Sequence, residues 1–307
     1  MPRSDTTSML IHLNGQLLSR EQARIDPFDR GFIFGEGIYE GLRSIAWKDS
    51  TRIVGLKQHI RRMQRGLDTA GIRHDITNLG DLSAELVRAN SLRDAFVYWQ
   101  ITGGAPGEGD PVRSRARGRN TRPTMFGYCT PQPSLDSQTV PATKRAITQP
   151  DLRWHLGWVK SISLMGNVLA ARNADERGCD ESIFIRGGDE SGNGGLVAEG
   201  LATNVLLALP GREGKTHLVT PALDSAPMLA GVTRDILLRL DPTIAQRPIR
   251  AEELSDAREI MLLGTTTMVT SIVQLNGKQI GDGTPGPESH RLLDLLVGAL
   301  REGKDMA

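Results

Sequence analysis

The sequence predicts an α/β protein made of one large domain or two medium ones. Segments with an apolar residue at every second position, typical of strands, occur along the chain together with segments whose apolar residues recur at helical spacing. The 307 residues are enough to bury a sizeable core. Hydrophobic residues make up 38% of the chain, which is ordinary for a globular protein and gives no indication of general disorder.

Charge, cysteine content and hydropathy argue against several classes of function. A formal net charge of +1 gives no electrostatic reason to expect binding to nucleic acid or to an anionic membrane surface. The two cysteines, Cys129 and Cys179, form neither a disulfide framework nor a metal-ligand spacing, so we expect two reduced thiols and no metal site. The sequence has no apolar signal segment at its start and no stretch of membrane-spanning length. We therefore expect a cytoplasmic protein.

The first half of the chain is predicted to mix helices, strands and one long polar loop. Apolar residues recur at helical spacing from Leu56 to Ala70, and Gly71 ends this helix. Residues 103–122 are rich in glycine and arginine, so they form either a solvated connector or an active-site lid. The other predictions are a hairpin over 9–18, strands over 38–47, 95–102 and 124–129, a helix over 81–90, and a linker over 131–137 between a smaller domain (1–130) and a larger one (138–307).

The second half contains a lysine in a distinctive position. The alternating apolar residues Leu152, Trp154, Leu156 and Trp158 predict a strand that buries one face and ends at Lys160. At the rim of a core, desolvation disfavours the ammonium form of a lysine, which is a requirement for Schiff-base chemistry. The alternative is a strand-end lysine that extends into solvent.

The rest of the second half is predicted to alternate short strands with helices. A helix that begins at Gly231 would present backbone N–H groups able to bind an anion. The other predictions are helices over 164–177, 252–256 and 287–301, strands over 182–185, 196–199, 204–207, 218–219 and 259–263, and hairpins over 186–195 and 273–280.

Short motifs along the whole chain match one known family in order and spacing. They are FDRGF at 28–32, FGEGIYE at 34–40, HIRRM at 59–63, KSISLMGNVLA at 160–170, ERGCDE at 176–181, EGLATN at 199–204, LAGVTRD at 229–235 and GTT at 264–266. This set resembles the class IV aminotransferases, which include the D-amino acid and branched-chain amino acid aminotransferases. The resemblance implies the two-domain fold type IV, with a smaller α/β N-terminal domain and a larger, barrel-like C-terminal domain that binds pyridoxal 5'-phosphate (PLP).

The resemblance also implies roles for individual residues. Lys160 matches the catalytic lysine that carries PLP as a Schiff base, and Glu199 matches the carboxylate that keeps a proton on the pyridine nitrogen. Outside its motif, Glu199 would be interpreted as a surface glutamate at a strand end. The remaining cofactor-binding residues implied are Arg62, Thr203, Asn204, Val232, Thr233 and Thr265, of which Arg62, Val232, Thr233 and Thr265 would bind the phosphate.

The substrate-binding residues are less clearly specified. Tyr39 would face the substrate in the family, whereas on its own it would be a buried strand aromatic. D-amino acid aminotransferases have a carboxylate-binding arginine and a histidine where this chain has Gly103 and Ala105. The residues that could replace them are Arg30, Arg43 and the arginines between 113 and 119, with Thr266 as a further substrate-binding residue. Arg43 lies in a segment closer to the branched-chain subgroup, whereas 160–181 is closer to the D-amino acid subgroup.

The resemblance implies transamination between a small amino acid and a 2-oxo acid such as 2-oxoglutarate or pyruvate, with D-amino acids slightly favoured. It also implies a homodimer with residues of both subunits at each site. The alternatives are a branched-chain L-amino acid aminotransferase, then an (R)-amine transaminase or a PLP lyase of the aminodeoxychorismate type. A non-enzymatic alternative is a sugar- or nucleotide-binding protein that uses the glycine-rich loops and carries no coloured cofactor.

Overall fold

The computed structural model describes residues 9–189, 194–211 and 215–306, and the chain divides into two compact units. The first unit extends to Leu135 and also includes Val159–Ser163, while the second contains Asp136–Trp158 and Leu164–Asp305. The segment that carries Lys160 therefore packs with the first unit, although both of its neighbours in sequence belong to the second.

The first unit is a sheet with helices packed on it. Within residues 9–135, six strands form the sheet in the order β2-β1-β6-β5-β3-β4, and every neighbouring pair is antiparallel. The strands are β1 (Leu10–Leu13), β2 (Gln16–Ser19), β3 (Gly37–Trp47), β4 (Ser50–Ile53), β5 (Ala95–Thr102) and β6 (Met125–Pro131). The helices are α1 (Arg30–Phe34), α2 (Leu56–Ala70) and α3 (Leu79–Ala89).

The core of the first unit lies between this sheet and the two longer helices. Trp99 of β5 is completely buried, and its indole N–H donates a hydrogen bond of 2.8 Å to the Ser83 hydroxyl of α3. Met63 and Leu67 of α2 are buried as well, in agreement with the helical pattern of the sequence. Burial of this apolar surface is the main force that holds α2 and α3 on the sheet.

The second unit is built on a mixed sheet. Its strands within the described residues are β7 (Ala142–Pro150), β8 (Glu181–Arg186), β9 (Leu196–Gly200), β10 (Asn204–Pro210), β11 (Thr216–Pro221), β12 (Ala245–Arg247), β13 (Glu259–Gly264), β14 (Met268–Leu275) and β15 (Lys278–Gln279). The helices are α4 (Met165–Glu176), α5 (Val232–Leu240) and α6 (Pro287–Glu302). Short 3-10 helices occur at Leu135–Ser137, Ala251–Ser255 and Lys304–Met306.

Part of this sheet closes on itself. The strand order is β12-β11-β10-β13-β14-β7-β8-β9, and β9 also pairs with β10 where Glu199 lies opposite Asn204. The path from β10 through β13, β14, β7 and β8 to β9 is therefore a closed barrel, filled by side chains such as Ile183, Val205 and Leu262. The pair of residues that closes the barrel consists of two of the predicted cofactor-binding residues.

The prediction of a strand that ends at Lys160 is wrong. Strand β7 ends at Pro150, and the residues that follow are irregular, with Leu152 88% exposed. The inward positions of this segment are taken by Asp151 and Arg153, which form an ion pair with a distance of 2.9 Å. The apolar residues of this segment do alternate, but they are not the buried ones. The polar residues Asp151 and Arg153 point inward, and Leu152 and Trp154 are exposed.

Most other elements agree with the sequence prediction to within one or two residues. Among the strands and α-helices of the described residues, four were not predicted: strands β4, β7 and β12, and the five-residue helix α1, where a loop was expected. The predicted hairpin over 186–195 joins two paired strands, but residues 190–193 of its loop lie outside the described residues. Within the described part of the chain, no helix is both long and apolar enough to cross a membrane.

Candidate active site

Lys160 lies beside the first residues of β3. The backbone N–H of Tyr39 donates to the carbonyl of Lys160 at 3.0 Å, and a β-bridge joins Ile38 to Ser161. Gly37 makes this approach feasible, because a Cβ atom there would lie only 2.8 Å from the Ile162 side chain. Lys160 is half-buried, and its Nζ atom lies 4.2 Å from the centre of the Tyr39 ring. An amine is thus held over an aromatic face by backbone pairing.

Tyr39 is one end of an aromatic array on the same face of the sheet. Its ring stacks on Tyr98 with 5.6 Å between centroids, and Tyr98 stacks on Tyr128 at 5.1 Å. The Tyr98 hydroxyl donates to Gln100 at 2.9 Å. Burial, together with the neighbouring tyrosines, raises the pKa of Tyr98, so this phenol stays protonated. The array therefore offers an uncharged aromatic surface next to Lys160.

The opposite face of β3 carries a buried charged cluster. Glu40 is completely buried, and its carboxylate accepts two hydrogen bonds of 2.7 Å from Arg62 on α2. His59, one helical turn before Arg62, contributes Nδ1 at 2.8 Å from the same carboxylate. Residues three apart on a helix share a face, so α2 presents both partners to one acid.

The cluster has a defined protonation state. Burial acts to raise the pKa of Glu40, but the charges and hydrogen bonds of Arg62 and His59 outweigh it and hold this pKa far below its usual range. Burial lowers the pKa of His59, so its ring is neutral. Because Nδ1 lies 2.8 Å from the ionised Glu40 carboxylate, we infer that the ring proton is on Nδ1. Its Nε2 atom is buried and has no hydrogen-bond partner among the described residues.

In the second unit, Glu199 at the end of β9 is held by Arg153, Leu229 and Asn204. Arg153 donates from Nη1 to Oε1 of Glu199 at 2.6 Å, while the N–H of Leu229 and the Asn204 side chain contact Oε2 at 3.0 and 3.5 Å. Arg153 also makes two hydrogen bonds to Asp151. Burial acts to lower the pKa of Arg153, but the two carboxylates outweigh it and raise this pKa. A permanent cation therefore accompanies the Glu199 carboxylate.

The other predicted cofactor residues of the second unit lie around this carboxylate. A Cβ atom on Gly231, just before helix α5, would lie 1.8 Å from Oδ1 of Asn204. A Cβ atom on Gly264 would lie 2.4 Å from the Thr267 hydroxyl and 3.3 Å from Thr203. The structure thus brings Thr203 and Asn204 close to the start of α5, with Val232 and Thr233, and to the turn that contains Thr265 and Thr266. The hydroxyls of Thr203 and Thr267 are buried without a partner in the described part of the chain.

The arginines considered for the substrate lie in different surroundings. Arg30 donates to Glu36 and to the carbonyls of Ser114 and Arg115, so it anchors the arginine-rich loop. Arg117 reaches the same Glu36 from the other side. These contacts fasten the 103–122 loop to the helix α1 region of the first unit.

Arg43 is different because its guanidinium is buried and only partly paired. Its side chain is on strand β3, and Nη2 donates to the carbonyl of Pro133 at 2.7 Å. Nε and Nη1 are buried with no partner among the residues the structure describes. Burial lowers the pKa of Arg43.

Comparison with known proteins identifies the family. A sequence model of the family described as amino-transferase class IV matches residues 37–275. The D-alanine aminotransferase of Bacillus licheniformis is 31% identical over 300 residues, covering 95% of this chain and 97% of that protein. A putative branched-chain-amino-acid aminotransferase of Methanocaldococcus jannaschii is 28% identical over 295 residues, covering 92% and 94%. The chain belongs to the class IV aminotransferases.

Solved structures agree on the fold. The branched-chain amino acid aminotransferase of Escherichia coli superimposes with a TM-score of 0.80 at 20% identity, covering 94% of each chain. The PLP form of the branched-chain amino acid aminotransferase of Thermobaculum terrenum also gives a TM-score of 0.80, at 22% identity, with 97% of this chain and 95% of that one covered. The expected fold type IV is therefore confirmed.

Class IV aminotransferases depend on PLP, so this aminotransferase is a PLP enzyme. The residues present fit that cofactor. The first unit supplies an amine that can form a Schiff base and an arginine whose guanidinium suits a phosphate. The second unit supplies a carboxylate and, among the described residues, two buried hydroxyls without a partner. It also supplies the N-terminus of a nine-residue helix, beside glycines at which an added Cβ atom would clash with neighbouring side chains.

Four charged or titratable residues of this aminotransferase were not singled out from the sequence. Glu40 and His59 lay inside quoted motifs, Arg153 lay in the segment interpreted as a strand, and Asp151 directly preceded that segment. The sequence did contain a signal for Glu40. Successive residues of strand β3 point to opposite faces of the sheet, so if Tyr39 faces the substrate, Glu40 points into the core, where a carboxylate needs partners. Asp151 and Arg153 gave no comparable signal, because only the folded chain brings Arg153 to Glu199.

Proposed function

We propose that this aminotransferase transfers the amino group of a small D-amino acid to a 2-oxo acid such as 2-oxoglutarate or pyruvate. The observation that carries the transfer chemistry is the Nζ atom of Lys160 held 4.2 Å above the Tyr39 ring inside the family's lysine motif. The preference for a D-amino acid is supported by the 31% identity to a D-alanine aminotransferase over almost the whole chain. A branched-chain L-amino acid is the second candidate, supported by the M. jannaschii relative and by the segment around Arg43.

The roles of the chain's own groups follow from their chemistry. When bound, PLP supplies an aldehyde for covalent attachment and an electron-withdrawing ring that accepts the electron pair left at the substrate Cα. Lys160 would hold the cofactor through its Nζ atom, and the same amine, when free, would act as the base that removes the proton from the substrate Cα and as the acid that delivers it to the carbon of the former aldehyde. Tyr39 holds this amine over its ring face. Glu199, with Arg153 as a fixed counter-ion, keeps a proton on the pyridine nitrogen.

We assign the phosphate to Arg62, to the backbone N–H groups of Val232 and Thr233, and to the hydroxyl of Thr265. A helix N-terminus favours an anion because its first N–H groups have no partner within the helix. The guanidinium of Arg62 suits a phosphate oxygen because its donors are directional and permanently charged. Thr203 and Asn204 hold the turn that carries Glu199, since the N–H of Gly200 donates to the Thr203 carbonyl at 2.8 Å.

We propose that an arginine other than Arg30 binds the substrate carboxylate. Arg30 already donates to Glu36 and to two carbonyls, which supports an anchoring role for it. Arg43 retains two N–H-bearing atoms without a partner in the described residues, and Arg113, Arg115 and Arg119 are exposed. Thr266 is exposed at the tip of the β13–β14 turn, where its hydroxyl can add a hydrogen bond.

We propose that the working form is a cytoplasmic homodimer. Large apolar side chains stay exposed on the second unit, among them Trp154 at 46%, Met165 at 69% and Val168 at 60%. A second copy of the chain would cover large exposed apolar side chains of this kind, and Met165 and Val168 share one face of helix α4 because they are three residues apart. Both cysteines are free thiols, as expected of a reducing compartment. Light scattering tests the dimer: the proposal predicts twice the chain mass, and a smaller mass for Val168→Glu.

The experiment that tests the proposed reaction is a half-reaction scan. The purified holoenzyme is mixed with paired D- and L-amino acids, and its absorbance spectrum is followed in a stopped-flow instrument. The proposal predicts conversion of the cofactor to its amine form with D-alanine, faster than with L-leucine. A faster reaction with L-leucine would favour the branched-chain candidate. Reaction only with (R)-1-phenylethylamine, or release of pyruvate without conversion of the cofactor, would contradict amino acid transamination.

A further inference from the structure

Glu40 is a carboxylate with no access to water and with both oxygens occupied. Oε1 accepts from Nε of Arg62, and Oε2 accepts from Nη2 of Arg62 and from Nδ1 of His59. The pairing with Arg62 is bidentate, which fixes the plane of the guanidinium as well as its position. Glu40 lies on β3 and its two partners on α2, so the cluster also joins the sheet to the helix.

The pairing sets the direction of every donor on Arg62. A guanidinium carries five N–H donors in one rigid plane, and Glu40 takes one at Nε and one at Nη2. The Arg62 side chain is 12% exposed, whereas its helix neighbours Arg61 and Arg65 are on the exposed face. Arg62 is therefore a partly buried cation whose orientation is set by Glu40 rather than by solvent.

The protonation of the cluster supports this arrangement. With an ionised Glu40, a protonated Arg62 and a neutral His59, the buried charges compensate each other. Arg62 therefore needs no anion to be stable in its position, and its orientation is established before an anion arrives. A ligand that binds a prearranged donor does not have to restrict that donor's side chain on binding, which improves affinity.

We propose that Glu40 is a positioning residue for the phosphate of the cofactor, acting by holding Arg62, with His59 as the second support of its carboxylate. This proposal rests on the proposed function, in which Arg62 binds the phosphate. The rival explanation is that Glu40 only joins α2 to β3. A purely structural role would lower stability but would not change how strongly the protein distinguishes a phosphorylated from an unphosphorylated ligand.

The test measures that distinction directly. The full-length protein, freed of its cofactor, is titrated with PLP and with pyridoxal, which lacks only the phosphate, and both dissociation constants are determined from absorbance. Attachment to the lysine is common to the two ligands. The dissociation constant of pyridoxal divided by that of PLP therefore isolates the contribution of the phosphate, and this quotient is the ratio used below. Glu40→Gln keeps the shape of the side chain but cannot accept from both guanidinium nitrogens, so we expect the ratio to fall by about tenfold, as loss of a ligand's supporting partner typically costs.

Two further variants separate the possible outcomes. Arg62→Met should lower the ratio at least as much as Glu40→Gln, whereas Glu36→Gln, which also removes a carboxylate that bridges two cations of the first unit, should leave it unchanged. If Arg62→Met lowers the ratio and Glu40→Gln does not, the positioning role is wrong and the proposed phosphate role of Arg62 stands. If Arg62→Met also leaves the ratio unchanged, the phosphate role fails and the positioning role with it.

A second measurement keeps the proposal testable if Glu40→Gln folds poorly. Glu40→Asp retains the charge, but its side chain is one methylene shorter and cannot keep the bidentate contact. We expect this variant to show a smaller rise in thermal midpoint on addition of inorganic phosphate than the unmodified protein. An equal rise would overturn the proposal.

Discussion

Replacement of Arg153 by methionine tests how Glu199 is held. Arg153 is the cation between two largely buried carboxylates: its Nη1 lies 2.6 Å from Glu199 and its Nε lies 2.9 Å from Asp151. The side chains of Glu199 and Asp151 are 8% and 1% exposed. Methionine has a similar volume and no charge, so Arg153→Met leaves two buried negative charges without the cation that they share. Asp151 keeps a contact of 3.8 Å with Arg186.

The magnitude follows from these distances. At 2.6 Å and an effective dielectric constant of about 20, the attraction between Arg153 and Glu199 alone is about 6 kcal/mol. Part of it is offset by the desolvation of both groups in the native protein. Removal of one partner from a buried pair costs about 3–5 kcal/mol, because the remaining charge stays buried. We therefore expect Arg153→Met to lower the free energy of unfolding by about 3–5 kcal/mol.

Urea unfolding followed by circular dichroism measures this loss. The matched control is Arg172→Met in the same unit, where Arg172 forms an ion pair with Glu176 at 3.5 Å and both side chains are more than 60% exposed. Exposed pairs contribute little, so this control should change stability by less than about 0.5 kcal/mol. A loss below about 1 kcal/mol for Arg153→Met, or equal losses for the two variants, would show that Arg153 does not stabilise the two buried carboxylates.

Two further predictions concern packing and thiol chemistry. Gly231→Ala should destabilise the protein by about 1–3 kcal/mol in the same unfolding assay, because the new Cβ would lie 1.8 Å from Asn204. The control Gly298→Ala, in helix α6, has open space around the new Cβ and should stabilise the protein by about 0.5–1 kcal/mol. An unchanged stability of Gly231→Ala would show that the turn adapts to the added methyl group. Burial raises the pKa of the Cys129 thiol to about 11, so at pH 8 a disulfide reagent should titrate Cys179 in the folded protein and both thiols only after unfolding. Rapid reaction of two thiols in the folded state would contradict the burial of Cys129.

The sequence was most informative where periodicity and turn residues agree. Helix α2 was predicted from its apolar residues and Gly71, and strand β3 from its β-branched and aromatic residues. The start of α5 at Val232 followed from the glycine before it. These are local features, set by backbone geometry and by which side of an element is apolar, so they can be recognised without knowledge of the fold.

The features that failed depend on contacts between distant parts of the chain. The apolar alternation at Leu152 and Trp154 predicts a buried strand, yet Asp151 and Arg153 occupy the interior because Glu199 and Asp151 together satisfy the guanidinium. Nothing local to residues 151–158 reveals a carboxylate 46 residues away. Residues such as these have to be found in the folded structure.

The closure of the barrel has the same origin. Glu199 and Asn204 were assigned by resemblance, but their pairing across β9 and β10 is a matter of register between strands. Register is set by the pattern of both strands and by the turn that joins them, here a turn in which Gly200 leaves room for the Thr203 hydroxyl at 2.3 Å from its missing Cβ. The sequence motifs therefore identify Glu199 and Asn204 as site residues, but only the folded structure shows that they pair across β9 and β10.

Chemical reduction of the holoenzyme tests the central assignment most directly. Borohydride fixes the cofactor to the amine that carries it, and peptide mass spectrometry then identifies the labelled lysine. We expect the label on Lys160 alone, and no labelled peptide after Lys160→Ala. A label on another lysine, or an unlabelled protein that remains colourless with added PLP, would contradict it.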